Sequence, residues 1–136
     1  MSKTFKFEVV TPTGVFYSDE VNYISFEAID GEMGILSNHA PLLAANKPCT
    51  LTIEKDKNKR YAFISEGFIE VTKDKVSAVV DFAGWSNEIN TEKVLRDKAE
   101  AEEELESQTQ DLGRQTELKA SIERAKAAMK TSSIRD

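Results

Sequence analysis

The residues of this chain that could do chemistry are few and widely spread. The single histidine, His39, follows Glu32 by seven positions, which in principle offers an acid–base pair. Such a pair works only where burial or a neighbouring charge tunes one of its members, and both residues fall in a turn-rich stretch that leaves them open to water. One histidine and one cysteine cannot supply a zinc set, and no Gly-x-Ser-x-Gly or phosphate-cradling glycine loop with a lysine occurs. Cys49 alternates with Leu51 and Ile53 on the apolar side of a strand pattern, so it reads as an inert small hydrophobe. Trp85 fits an interface anchor and the lid of a core equally well. The lack of a nucleophile–base constellation argues against a small β-sandwich hydrolase and favours a binding or structural role.

The elements that must position these residues are β-strands first and helices last. Phe5, Phe7 and Val9 alternate with Lys6 and Glu8, giving a half-buried strand that Thr11-Pro12-Thr13-Gly14 ends. A short strand over 15–17 and a third over 21–28 follow, the latter with Ile24, Phe26 and Ala28 opposite Tyr23. From Asp30 to Ala45, Gly31 and Gly34 permit positive φ, Ser37-Asn38 is a turn pair and Pro41 holds Ala40 extended. The stretch is therefore expected to be an irregular loop and a partner surface. Substituting Glu32 or His39 in such a loop should cost no more than about 0.5 kcal/mol. Strands resume at 49–54 and 61–64, then at 68–71 behind Gly67, where a strand glycine marks a bulge or a close backbone approach. A last strand covers 76–82. Strands this short, with turns this frequent, indicate an antiparallel sandwich.

Near Ala83-Gly84-Trp85-Ser86 the composition changes to Ala, Glu, Lys and Gln. The fold class expected is α+β, an N-terminal antiparallel β-sandwich over 1–86 followed by a C-terminal two-helix antiparallel hairpin over 87–136. Asn90 or Thr91 is the N-cap of the first helix, whose stripe is Val94, Ala101, Leu105 and Leu112, with Gly113 as its stop. The second carries Leu118, Ile122, Ala125 and Met129 and frays from Thr131. Residues 91–111 hold eight acids and three bases, and residues 112–136 hold six bases and three acids, so the two helices are electrostatically complementary.

Composition narrows the partners. A chain of 136 residues with net charge −6 lacks the clustered basic face that nucleic acid needs, and its one basic run, Lys55 to Arg60, reads as a hairpin tip. No stretch approaches the ~18 apolar residues of a membrane span, so no direct membrane insertion is expected. A single cysteine and the absence of a signal-peptide pattern point to a reducing intracellular compartment.

Two runs then identify a family. Gly31-Glu32-Met33-Gly34-Ile35-Leu36-Ser37-Asn38-His39-Ala40-Pro41-Leu42-Leu43, with Phe63-Ile64-Ser65-Glu66-Gly67-Phe68-Ile69-Glu70-Val71 downstream, closely resembles the epsilon subunit of bacterial rotary ATP synthases over essentially the whole chain. Met33 stands where that family often has an aromatic, Ser37-Asn38 replaces a common Pro-Gly, and Glu66 replaces a common Gly. The resemblance implies a non-catalytic central-stalk subunit that couples proton or sodium flow through the c-ring to ATP synthesis. It would lie peripherally at the cytoplasmic face of the cell membrane. It places Gly31, Glu32, Gly34, His39, Pro41 and Leu42 at or near the contact with the c-ring and the gamma subunit.

The resemblance also implies that the helices, through Val94, Leu105, Leu112, Leu118, Ile122 and Met129, can rise along gamma towards the alpha and beta catalytic subunits and inhibit ATP hydrolysis. Some members bind ATP on the hairpin through an Ile/Leu-Asp-x-x-Arg-Ala motif. Here the matching positions read Ile89-Asn90-Thr91-Glu92-Lys93-Val94, with an amide for the acid and Lys for the bidentate Arg, so no cofactor is expected. A stand-alone nucleotide sensor is the competing reading. Calorimetric titration of the isolated chain with ATP should show no saturable binding in the low micromolar range; such binding would mean that Arg96, Arg114 or Arg124 compensates.

Overall fold

The computed structural model describes residues 3–107 and 111–134. Ten strands are followed by a 3-10 turn and two helices: β1 (Phe5–Thr11), β2 (Gly14–Val21), β3 (Tyr23–Ala28), β4 (Gly31–Leu36), β5 (Leu42–Asn46), β6 (Cys49–Lys55), β7 (Asn58–Ile64), β8 (Gly67–Val71), β9 (Val76–Val80), β10 (Ala83–Trp85), then α1 (Thr91–Glu106) and α2 (Leu112–Ser132). The strands join in the order β10-β7-β6-β3-β5-β8-β9-β1-β2, with β4 pairing β3 alone, and they wrap a single core as the α+β reading expects. All pairings are antiparallel except one. Strand β1 runs parallel to β9, setting Phe7 beside Val76 and Val10 beside Val79.

Period-two alternation builds this core. Phe7, Val9, Ile24, Leu51, Ile64, Ile69 and Val76 are wholly buried, while their strand neighbours Lys6, Glu70 and Val79 face out. Strands β6 and β7 form the expected hairpin across the basic tip, and Asp56 and Lys57 both take positive φ in its two-residue turn. Gly67 has the close approach its position in a strand suggests. A Cβ there would lie 2.1 Å from the Val79 carbonyl oxygen and 2.9 Å from Cγ1 of Val80. Cys49 is buried, and burial pushes its thiol up to about 11, which keeps it protonated at neutral pH.

Several expectations change. The second strand extends over Gly14–Val21, well beyond 15–17, because its pairing with β1 continues to Phe5 opposite Val21 past a bulge at Val9 and Val10. The stretch from Asp30 to Ala45 is two strands, β4 and β5, and only residues 37–41 between them are irregular. Its alternation places Ile35 in the core and Met33 against it, a pattern hidden by the two glycines. Strand β10 is an addition: Phe82 leaves the β9 path, and Ala83 pairs with Ile64. There Trp85 lies 4.7 Å from Phe16 and 5.7 Å from Tyr17 between ring centroids, with the Arg60 guanidinium 3.5 Å from its own. This stack closes the seam between β2 and β10, which is the lid reading of Trp85.

Asn90 caps α1, its Oδ1 accepting from the Lys93 amide at 3.0 Å. Ala101 of α1 packs with Leu118 and Ile122 of α2, and Leu105 lies against them, so the helices form the expected hairpin. Leu112 does not extend the α1 stripe. It opens α2 behind the Asp111 cap and is 75% exposed, and Gly113 lies in that first turn instead of ending α1. The expected run of α1 through 108–110 falls outside the described residues. Fraying from Thr131 is also corrected: α2 continues to Ser132, and Thr131 is fully buried against the sandwich.

Gly67→Ala should destabilise the isolated chain by about 3 kcal/mol, because the added methyl meets backbone that cannot move without parting β8 from β9. A denaturant midpoint within error of the wild type would refute the close approach.

Candidate functional site

The six residues expected at the partner contact do not form one patch. Gly31 and Glu32 begin β4, whereas His39 and Pro41 lie past its other end and Leu42 begins β5. At about 3.4 Å per residue, the run from Glu32 to Leu36 alone separates the two groups by roughly 14 Å. Gly34 lies between them.

At the first end, the two-residue turn Ile29-Asp30 joins β3 to β4, and Gly31 takes φ of 134° directly after it. Only glycine accepts that conformation without strain. Glu32 is exposed and sits directly opposite Glu27 in the antiparallel ladder. Like charges in that position destabilise a strand pair, and Lys47, 3.8 Å from Glu27, offsets one of them. Among the described residues, no ion pair engages Glu32. Its side chain borders a groove of about 880 Å³ whose other walls include Glu27, Lys47 and Thr50 of the sandwich and Glu123, Lys126 and Lys130 of α2.

At the second end, His39 is a fastener. Its Nδ1 lies 2.8 Å from the Leu36 carbonyl and its Nε2 3.2 Å from the Thr72 carbonyl, while its ring meets Phe5 edge-on at 5.4 Å. A neutral ring can donate to one of these carbonyls at a time. Asn38 turns the chain with φ of 62°, as the Ser37-Asn38 pair suggests. The loop so held presents Leu36, Leu42 and Leu43, exposed by 62%, 38% and 65%. His39 is therefore half-buried and bonded, not a free side chain on an open turn. Gly34 serves packing: its φ is not positive, and a Cβ would lie 2.3 Å from the Tyr23 hydroxyl.

A third feature escaped the sequence reading. Ala45, Phe68, Val79, Val10 and Val15 are register partners across β5, β8, β9, β1 and β2, forming one row on the outer face. Phe68, Val79 and Val15 in that row are 55%, 51% and 61% exposed. An apolar row this continuous is a candidate interaction surface. The only signal for it in the sequence is an aromatic on the polar side of the β8 alternation.

Nothing at either end forms a nucleophile–base arrangement, and no group of three or more His, Cys, Asp or Glu side chains able to hold a metal ion occurs among the described residues. Asn90 and Lys93, at the start of α1, are engaged in the helix itself: Asn90 caps it, and Lys93 pairs with Asp97 at 2.7 Å.

With this geometry in place, residues 4–86 match the family described as ATP synthase, Delta/Epsilon chain, beta-sandwich domain. The ATP synthase epsilon chain of Caldanaerobacter subterraneus subsp. tengcongensis is 37% identical over 134 residues, covering 96% of this chain and 97% of its own length. This chain belongs to the ATP synthase epsilon family. The epsilon chain of Alkaliphilus oremlandii is likewise 37% identical, over 77% of this chain and 78% of its own. Among solved structures, a chain of the Euglena gracilis mitochondrial ATP synthase OSCP/F1/c-ring assembly superposes with a TM-score of 0.79 at 22% identity, covering 93% of this chain and 80% of that one. One from the Tetrahymena thermophila central stalk and c-ring gives 0.66 at 14% identity, over 97% and 98%. At those identities the superpositions establish the fold. As an epsilon chain, the protein is a non-catalytic subunit of the ATP synthase complex. No helix among the described residues is long and apolar enough to cross a membrane.

The two ends of β4 should respond differently to mutation. His39→Ala should cost the isolated chain about 1 to 2 kcal/mol, more than an open loop would predict, through loss of its hydrogen bond and ring contact. Glu32→Gln should leave stability unchanged or raise it by up to about 0.5 kcal/mol, by relieving the Glu27 repulsion. Urea denaturation of both variants tests the assignment, and equal losses would contradict it.

Proposed function

We propose that this epsilon chain works in the central stalk, where its sandwich transmits rotation between ion flow through the c-ring and ATP synthesis, and its helical hairpin restrains ATP hydrolysis. The observation that supports a docking role most directly is the bare apolar row through Phe68 and Val79, which a stable solitary sandwich has no need to expose. On this reading the row, whose Ala45 end lies against Ile29 near the Gly31 end of β4, and the leucines at the His39 end both face the gamma subunit. Gly31 and Glu32, at the far end of β4, face the c-ring. An acid kept opposite Glu27 at a cost in stability is what a contact residue selected for its partner looks like. The complex would hold the chain at the cytoplasmic face of the membrane.

The proposed division is a sandwich over 1–86 and a regulatory hairpin over 87–136, in which Val94, Leu105, Leu118, Ile122 and Met129 hold the helices together or against their docking surface. Leu112, exposed at the start of α2, is free to meet a neighbouring subunit, the alpha and beta chains being the expected ones. A stand-alone nucleotide sensor is disfavoured, because Asn90 and Lys93 are committed to capping and to Asp97.

Truncation after Glu88 should leave a folded sandwich that still joins the complex and should raise its ATP hydrolysis rate. A truncated complex that assembles normally but hydrolyses ATP no faster at any nucleotide concentration would remove the inhibitory role. A second arm separates the partners: Phe68→Glu should weaken capture of the gamma subunit, whereas Glu32→Ala should spare that capture and lower ion-driven ATP synthesis. The reverse pattern would exchange the two faces.

A further inference from the structure

We infer that a two-point polar latch, Glu66 with Arg124 and Thr50 with Thr131, sets how firmly the helical hairpin is docked on the sandwich in this chain. The docking surface has little else to hold it. Helix α2 packs on β6 and β7, and the residues it buries beyond the interhelical contacts of Leu118 and Ile122 are Ala125, Ala128, Thr131 and Ser132. On the sandwich side, Phe63 and Thr50 are register partners, and Phe63 is only 4% exposed although its neighbours Ala62 and Ile64 are the ones that point into the core. Alanine methyls facing β6 and β7 return far less on burial than a stripe of leucines would. The polar ties therefore carry a large share of the preference for the docked arrangement.

The two ties differ in kind. Arg124 Nε donates to Glu66 Oε1 at 2.8 Å, with both side chains 41% exposed, so this tie is open to screening by salt. Thr50 and Thr131 meet oxygen to oxygen at 2.6 Å, and the Thr131 hydroxyl lies 3.0 Å from the Ala127 carbonyl, to which it donates. That bond uses the Thr131 proton, so Thr50 is the donor across the interface. Separating the helix leaves both hydroxyls to water.

The inference rests on the reading that residues 87–136 can leave the sandwich, and its test is independent of ATP turnover. Amide hydrogen exchange of residues 118–132 in the full isolated chain reports the docked fraction, because the helices alone bury too little to protect themselves. Glu66→Gln and Arg124→Gln should each speed exchange there about two- to five-fold at low salt, the range for breaking an exposed ion pair. The exchanged pair Glu66→Arg with Arg124→Glu should restore the slow rate, and molar salt should bring the wild type to the rate of the single variants. Thr50→Val should speed the same segment without affecting β8 and β9.

Unchanged rates in both single variants, failure of the exchanged pair to restore protection, or acceleration spread equally through β6 to β9 would each overturn the latch. Faster exchange combined with no rise in hydrolysis on truncation would uphold the latch and remove the inhibitory role. Unchanged exchange with a rise on truncation would do the opposite.

Discussion

The parallel pairing of β1 with β9 is the constraint on which the sandwich depends. It joins residue 7 to residue 76, so the chain cannot complete its sheet until nine strands have been made. The seam is fastened outside as well as in the core: Lys75 Nζ and the Ser77 hydroxyl both donate to Glu8 Oε1, at 2.8 and 3.1 Å. The Lys75 bond in particular holds the Glu8 carboxyl below its ordinary range. The loop over 37–41 hangs from the same seam, since His39 packs on Phe5 at the start of β1 and meets the Thr72 carbonyl in the turn before β9. A loop fixed in this way presents its leucines as a surface and not as a tether.

The outer faces of the sandwich are treated unequally. Over β6 and β7 the hairpin covers Thr50 and Phe63, and β7 accordingly ends in three successive buried residues, Ala62, Phe63 and Ile64. Over β8 and β9 there is no such cover, and Phe68 and Val79 remain in water. One surface is covered within the chain by small residues and polar ties, and the other is left open to water.

The site was legible in part, and the reasons are local. The Gly31 turn and the Ser37-Asn38 turn declared themselves through residue type, and both take positive φ, at Gly31 and Asn38. Strand β4 between them did not, because glycines at 31 and 34 break the alternation that would have shown Met33 and Ile35 facing inward. That missed strand is why Glu32 and His39 looked like neighbours. The fastening role of His39 could not be read, since beyond the local Leu36 carbonyl its contacts, Phe5 and Thr72, lie 34 positions before it and 33 after it.

By itself the sequence determined the class of every element that has a strong period or cap: the strands with alternating core residues, the basic hairpin tip, the Asn90 cap and the two helices. It also determined the family, through residues 31–43 and 63–71. These are decided by contacts within a few positions of the chain and by motif spacing, which any reading of the sequence contains. Tertiary structure alone decided the parallel closure of β1 on β9, the burial of Thr131 and the meeting of Glu66 with Arg124. It also decided the alignment of Ala45, Phe68, Val79, Val10 and Val15 in one exposed row. Each depends on register between segments up to 81 residues apart, as for Thr50 and Thr131, and register is set by the packing of the whole core, not by the residues that end up side by side.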